Sequence, residues 1–141
     1  MQHAFMARQL ERKFEKFNGG PTQPNQDRLY ASISRDARIL INKNIHRMLG
    51  RPPGVFLHFS RVDDTIAIEP AESLRFSAVF PIKEQIQGSL IIQAAPFCTH
   101  FGIRVDETRR FITPEIKDGC LQLKLGETVV VRNIRRKKTS T

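Results

Sequence analysis

Arg35, Arg38, Lys43, Arg47 and Arg51 crowd one short stretch of the chain, with Asp36 the single acid among them. A guanidinium can grip a phosphate or a guanine edge through two parallel hydrogen bonds, and an ammonium holds phosphate as a point charge. Arg135, Arg136, Lys137 and Lys138 form a second cluster near the end of the sequence. Residues 84–103, by contrast, hold Glu84 and no Lys or Arg. The whole chain carries 23 Lys and Arg against 14 Asp and Glu, a net charge of +9, with a pI near 10.3. Such clustered charge favours a polyanionic partner, DNA before others, because phosphates release counterions when neutralised. The plain alternative is a solvated basic face.

Other chemistry is thinly represented. Cys98 and Cys120 lack metal-ligand spacing, and His46, His58 and His100 are scattered. Cys98 and His100 are two apart, which on a helix points them to different sides. The pair Asp63-Asp64 falls among turn formers. No phosphate-cradling glycine loop or paired-carboxylate motif occurs. The expectation is a protein without enzyme activity, metal or cofactor.

These residues need elements to position them. Within residues 1–17, Met6, Leu10, Phe14 and Phe17 fall on one helical face, so a helical arm is expected, docked on its own domain or on a neighbouring subunit, or else presenting its basic side to a membrane or nucleic acid. Met6 is an alternative start to Met1. Residues 18–25 hold turn formers and no apolar residue, a linker by composition. Alternation at Leu29, Ala31 and Ile33 predicts a strand, residues 35–38 a charged turn, and residues 39–41 a second strand. Asn42 can cap a helix over residues 43–49, which Gly50 and the following Pro52 and Pro53 end. Val55, Leu57 and Phe59, then Ile66 and Ile68, predict two more strands around a turn at residues 62–64.

This order resembles the AbrB-like swapped-hairpin family of transcription regulators. Ala37-Arg38-Ile39-Leu40-Ile41-Asn42 stands at the family's Gly-Arg-Ile-x-Ile-Pro motif, and Met48-Leu49-Gly50 at the helix end. Gly54-Val55-Phe56-Leu57 matches the third strand and Ile66-Ala67-Ile68-Glu69-Pro70 the last. Ala37 replaces the turn glycine and Asn42 the helix-opening proline. The resemblance covers about a third of the chain. It implies a β-rich α+β fold, a swapped-hairpin β-barrel, and DNA bound by a basic surface on which Arg38 holds the motif position. Arg35, Lys43, Arg47 and Arg51 are its neighbours by charge.

Residues 72–87 fit either a connecting strand or a short helix, with Pro81 in a turn. Beyond them, residues 89–93 echo residues 38–42, and residues 94–102 echo the helix and its closing glycine. Strands follow at residues 110–112 and 120–125, around a turn at Asp118-Gly119, and at residues 127–131. The second half thus reads as a degenerate second copy, similar to the double-repeat MraZ branch of the family. The expected organisation is arm and linker over 1–27, a first β unit over 28–71, a second over 72–131, and a basic tail over 132–141. No apolar run approaches the ~20 residues of a membrane span, and no secretory signal is evident, so a cytoplasmic protein with reduced cysteines and no membrane partner is expected. Two function classes follow. One is a DNA-binding regulator or nucleoid-type binder acting as a homodimer or larger homo-oligomer. The other is a self-assembling structural subunit, of a phage or filament, that uses the arm (Met6, Leu10, Phe14, Phe17) to reach its neighbours.

Overall fold

The computed structural model describes residues 28–132. The expected helical arm, the linker and the basic residues Arg135, Arg136, Lys137 and Lys138 lie outside them.

The protein is β-rich: among the described residues, ten antiparallel strands curl into a half-barrel with two short helices. β1 (Ala31–Ile33) and β2 (Arg38–Ile41) form a hairpin. Its turn places Ala37 at a φ of 62°, where the Ala37 N–H donates to the Ser34 carbonyl over 2.9 Å. A side chain in that left-handed region costs roughly 1–2 kcal/mol, so the turn keeps the conformation of a glycine without having one. α1 (Lys43–Met48) follows. Asn42 Oδ1 accepts from the Ile45 N–H at 3.1 Å, the cap expected from the sequence. Ile45 and Leu49, one turn apart, turn inward.

β3 (Gly54–Ser60) and β4 (Thr65–Ala71) pair along their full length, from Gly54 opposite Ala71 to Ser60 opposite Thr65. Gly54 has a packing reason: a Cβ there would lie 2.5 Å from Val79 Cγ1 and 2.8 Å from the Phe80 carbonyl oxygen. Residues 72–87 contain a strand, β5 (Phe80–Glu84), and Pro81 lies inside it rather than in a turn. Pro81 has no N–H to give, and the strand changes partner there. Phe80 and Pro81 lie opposite β3, while Ile82 to Glu84 pair with β6 (Leu90–Gln93).

α2 (Ala95–Phe101) opens with a proline in its first turn and ends on Gly102 at a φ of 71°. β7 (Arg109–Phe111), β8 (Glu115–Lys117), β9 (Cys120–Lys124) and β10 (Thr128–Val130) complete the sheet. Asp118 and Gly119 both have positive φ, as the tight β8–β9 turn requires.

The strand order is β10-β7-β1-β2-β6-β5-β3-β4-β9-β8. β2 and β6 are neighbours, with Leu40 opposite Ile91 and Ile39 and Ile41 opposite Ile92 and Leu90. Outward from this pair the first steps are alike on both sides, after which one side ends at β10 and the other continues through β4, β9 and β8. The β1–β2 hairpin meets β7, the strand after α2, while the β5–β6 hairpin meets β3, the strand after α1. Each hairpin therefore pairs with a strand of the other half of the chain. The two hairpin turns close with the same pair of backbone bonds. Ser34 and Ala37 make them in the first and Gln85 and Gly88 in the second.

The core is continuous across both halves. Ile33, Ile39, Ile41, Ile45, Val55, Ile66, Ile68, Ile92, Phe111, Leu121 and Leu123 are almost wholly buried. At roughly 1.5–3 kcal/mol for each large side chain removed from water, this shared core dominates the packing energy of both halves.

Candidate functional site

Because α1 spends Ile45 on the core, Lys43, Arg47 and Met48 are left exposed. His46 is half-buried, its Nε2 2.9 Å from the Pro52 carbonyl oxygen, which ties the helix to the segment leading into β3. Gly50 and Arg51 both have positive φ. That bend carries Arg51 back beside the helix, where the Arg51 N–H donates to the His46 carbonyl at 2.8 Å. Lys43, His46, Arg47 and Arg51 then line a groove of about 440 Å³, with Glu84 and Leu90 on its other wall.

A second hollow, of about 590 Å³, shares Lys43 and Asn44 with this groove and runs on to Arg28, Tyr30 and the turn Gln87-Gly88-Ser89. The amides of Asn42 and Asn44 each donate to the Arg28 carbonyl at 2.9 Å, fixing the backbone ahead of β1 over the start of α1. The Arg28 guanidinium lies 5.3 Å from the Tyr30 ring centroid. Lys43 Nζ is 4.0 Å from Glu84 Oε2, and both side chains are more than half exposed. A pair of this kind contributes at most about 1 kcal/mol and is screened by salt. Among the described residues, Glu84 is the only carboxylate lining either hollow.

The five cations singled out in the sequence do not fall in one place. Lys43, Arg47 and Arg51 share the groove beside α1. Arg38 sits on β2 opposite Gln93, in a shallow hollow with Lys83, Gln85 and Ile91. Arg35, at the hairpin turn, lines a different hollow of about 410 Å³ beside α2, together with Asp36, Arg104 and Asp106. Sequence reading passed over Arg28, Tyr30, Lys83 and Arg110. Strand register supplies part of the missing signal: Arg110 is opposite Ser32, Ser32 opposite Leu40, Leu40 opposite Ile91, and Ile91 opposite Lys83. Directly opposed residues share a face, so this row runs across five strands on the side away from Ile39 and Ile92.

The thiols are poorly suited to nucleophilic work. Burial pushes the Cys98 thiol up from its ordinary range. Cys120 is also pushed up, first by burial and then by Glu69 and Asp118. Glu69 holds His58 Nε2 at 2.9 Å on the exposed side of β3 and β4, and its charge disfavours a thiolate. Among the described residues no group of three or more His, Cys, Asp or Glu could hold a metal ion, and no helix is long and apolar enough to cross a membrane.

Comparison of the chain with protein-family models, with curated proteins and with solved structures gave no match.

Proposed function

We propose that this protein is a non-enzymatic DNA-binding protein of the AbrB-like swapped-hairpin type, serving as a transcriptional regulator or nucleoid-type binder. The observation that carries the reading is the cationic groove beside α1, where Lys43, Arg47 and Arg51 converge. The exchange of hairpins about β2 and β6 supports the family resemblance, since it is the pairing such a fold calls for. One chain supplies both hairpins, so a second subunit would extend the basic surface rather than complete the sheet. Among the described residues, neither helix is long enough to serve as a groove-filling recognition helix. Contacts to phosphate and to DNA shape therefore dominate over base reading.

The test is a mobility-shift titration of the full chain against duplex DNA over a range of salt concentrations. Affinity is expected to fall steeply as salt rises, with a log–log slope of about −0.9 for each phosphate neutralised. Changing Arg38, Lys43 and Arg47 together to Ala should weaken binding by well over tenfold. Undiminished binding by that variant would reject the surface.

A second reading, a self-assembling structural subunit, is favoured by an apolar patch: Leu74 and Phe76 are more than half exposed, and the Phe76 ring lies 6.1 Å from that of Phe56. Under it, removing residues 1–20 should collapse a large particle seen by light scattering.

A further inference from the structure

Two hollows in the molecule are built alike and charged differently. On one side α1, from the first half, faces the β5–β6 turn of the second half. On the other, α2 faces the β1–β2 turn of the first half. The β2–β6 ladder, centred on Leu40 and Ile91, relates the two sites.

Among the described residues, the cations Arg28, Lys43, Arg47 and Arg51 line the hollows beside α1 with a single carboxylate, Glu84. Beside α2, Arg35 and Arg104 are matched by Asp36 and Asp106, and the wall is Ile33, Ala37 and Cys98. The first hollow has a local field that attracts phosphate, and in the second the carboxylates cancel it.

Packing reinforces the difference. Gly88 leaves room for Lys43: a Cβ there would lie 2.8 Å from Lys43 Cε and 3.3 Å from its Nζ. The corresponding turn position in the first half is Ala37, which carries a methyl group. The helix positions are just as unequal, since α2 presents Ala95, Cys98 and Thr99 to its hollow.

Resting on the DNA-binding reading, we infer that the grip on DNA is one-sided: the sugar-phosphate backbone of one strand is seated between α1 and the β5–β6 turn, and the related hollow beside α2 seats none. A surface of this kind fixes one orientation on the duplex and suits a site without two-fold symmetry. Glu84 competes with the incoming phosphate for Lys43 from within the site.

Matched single substitutions in the two hollows test this, using the full chain and a fluorescein-labelled duplex of about 20 base pairs, with anisotropy read between about 50 and 200 mM salt. Each neutralised phosphate contact changes the salt slope by about 1. Lys43→Ala and Arg47→Ala should each weaken binding about five- to twentyfold and lower the slope by about 1. Arg104→Ala should stay within about twofold with the slope unchanged. Glu84→Gln should tighten binding about two- to fivefold, a gain that a misfolded variant could not produce. Equal losses from Arg47→Ala and Arg104→Ala, in a wild-type protein that binds, would overturn one-sidedness and leave the DNA-binding reading standing. A wild-type protein that fails to bind duplex at about 50 mM salt would overturn the reading and the inference together.

Discussion

α1 and α2 follow equivalent hairpins and precede strands with equivalent partners, yet they meet solvent in opposite ways. α1 buries Ile45 and presents Lys43 and Arg47, whereas α2 buries Phe97 and Cys98 and carries no Lys or Arg. The starts differ too. Asn42 caps α1 with its side chain, while the residue ahead of α2, Ala94, is fully buried and makes no side-chain cap bond. α2 instead packs an aromatic group, with the Phe97 and Phe101 rings 5.1 Å apart and Phe59 of β3 5.2 Å from Phe101. The difference teaches that backbone pairing and surface chemistry are separable here. Inward-facing isoleucines keep the two halves registered, and outward positions are free to diverge because they carry little of the folding energy.

The largest expected effect tests whether the inner faces are in fact equivalent. Ile41 and Ile92 are both fully buried and flank the centre of the β2–β6 ladder. Ile41→Ala and Ile92→Ala should each cost about 3–4 kcal/mol in urea unfolding, the range for emptying a packed core site. A cost below about 1 kcal/mol at one of them would break the comparison. Next come the two hairpin turns, where opposite signs are expected. Gly88→Ala should destabilise by about 1–2 kcal/mol, since it puts a side chain at a φ of 100° and crowds Lys43. Ala37→Gly should stabilise by up to about 1 kcal/mol by relieving its left-handed strain. The same sign for both in thermal melts would mean that the turns are not equivalent. The smallest effect separates folding from binding: Glu84→Gln should leave unfolding within about 0.5 kcal/mol of the parent, because its pair with Lys43 is exposed.

Much of the local structure was legible. Alternation at Val55, Leu57 and Phe59 marked β3, Asn42 marked the start of α1, and Asp118-Gly119 marked the β8–β9 turn, each through a local constraint that the residue itself imposes. β5 was obscured because Pro81 ordinarily interrupts a strand, and only the change of partner at that residue lets it stay. Partner choice was illegible for a different reason: period-two patterning says which face is buried and is silent about which strand lies alongside. The candidate site shared that blindness. Lys43, Arg47 and Arg51 are near in sequence and line one groove, but Arg28, Glu84 and Gly88 join them through hairpin exchange. The same exchange sends Arg35 to the far side of the ladder, beside α2.

That exchange also governs how the chain can be made. β1 lies beside β7, and β4 beside β9, so strands formed early in synthesis wait for neighbours made near its end. As the first half emerges from a ribosome, the outer edge of β1 and the far edge of β4 both lack their later partners, and exposed strand edges are templates for mispairing. Contacts this distant along the chain also slow folding towards the millisecond-to-second range. Those two edges are covered only once β7 and β9 have been made.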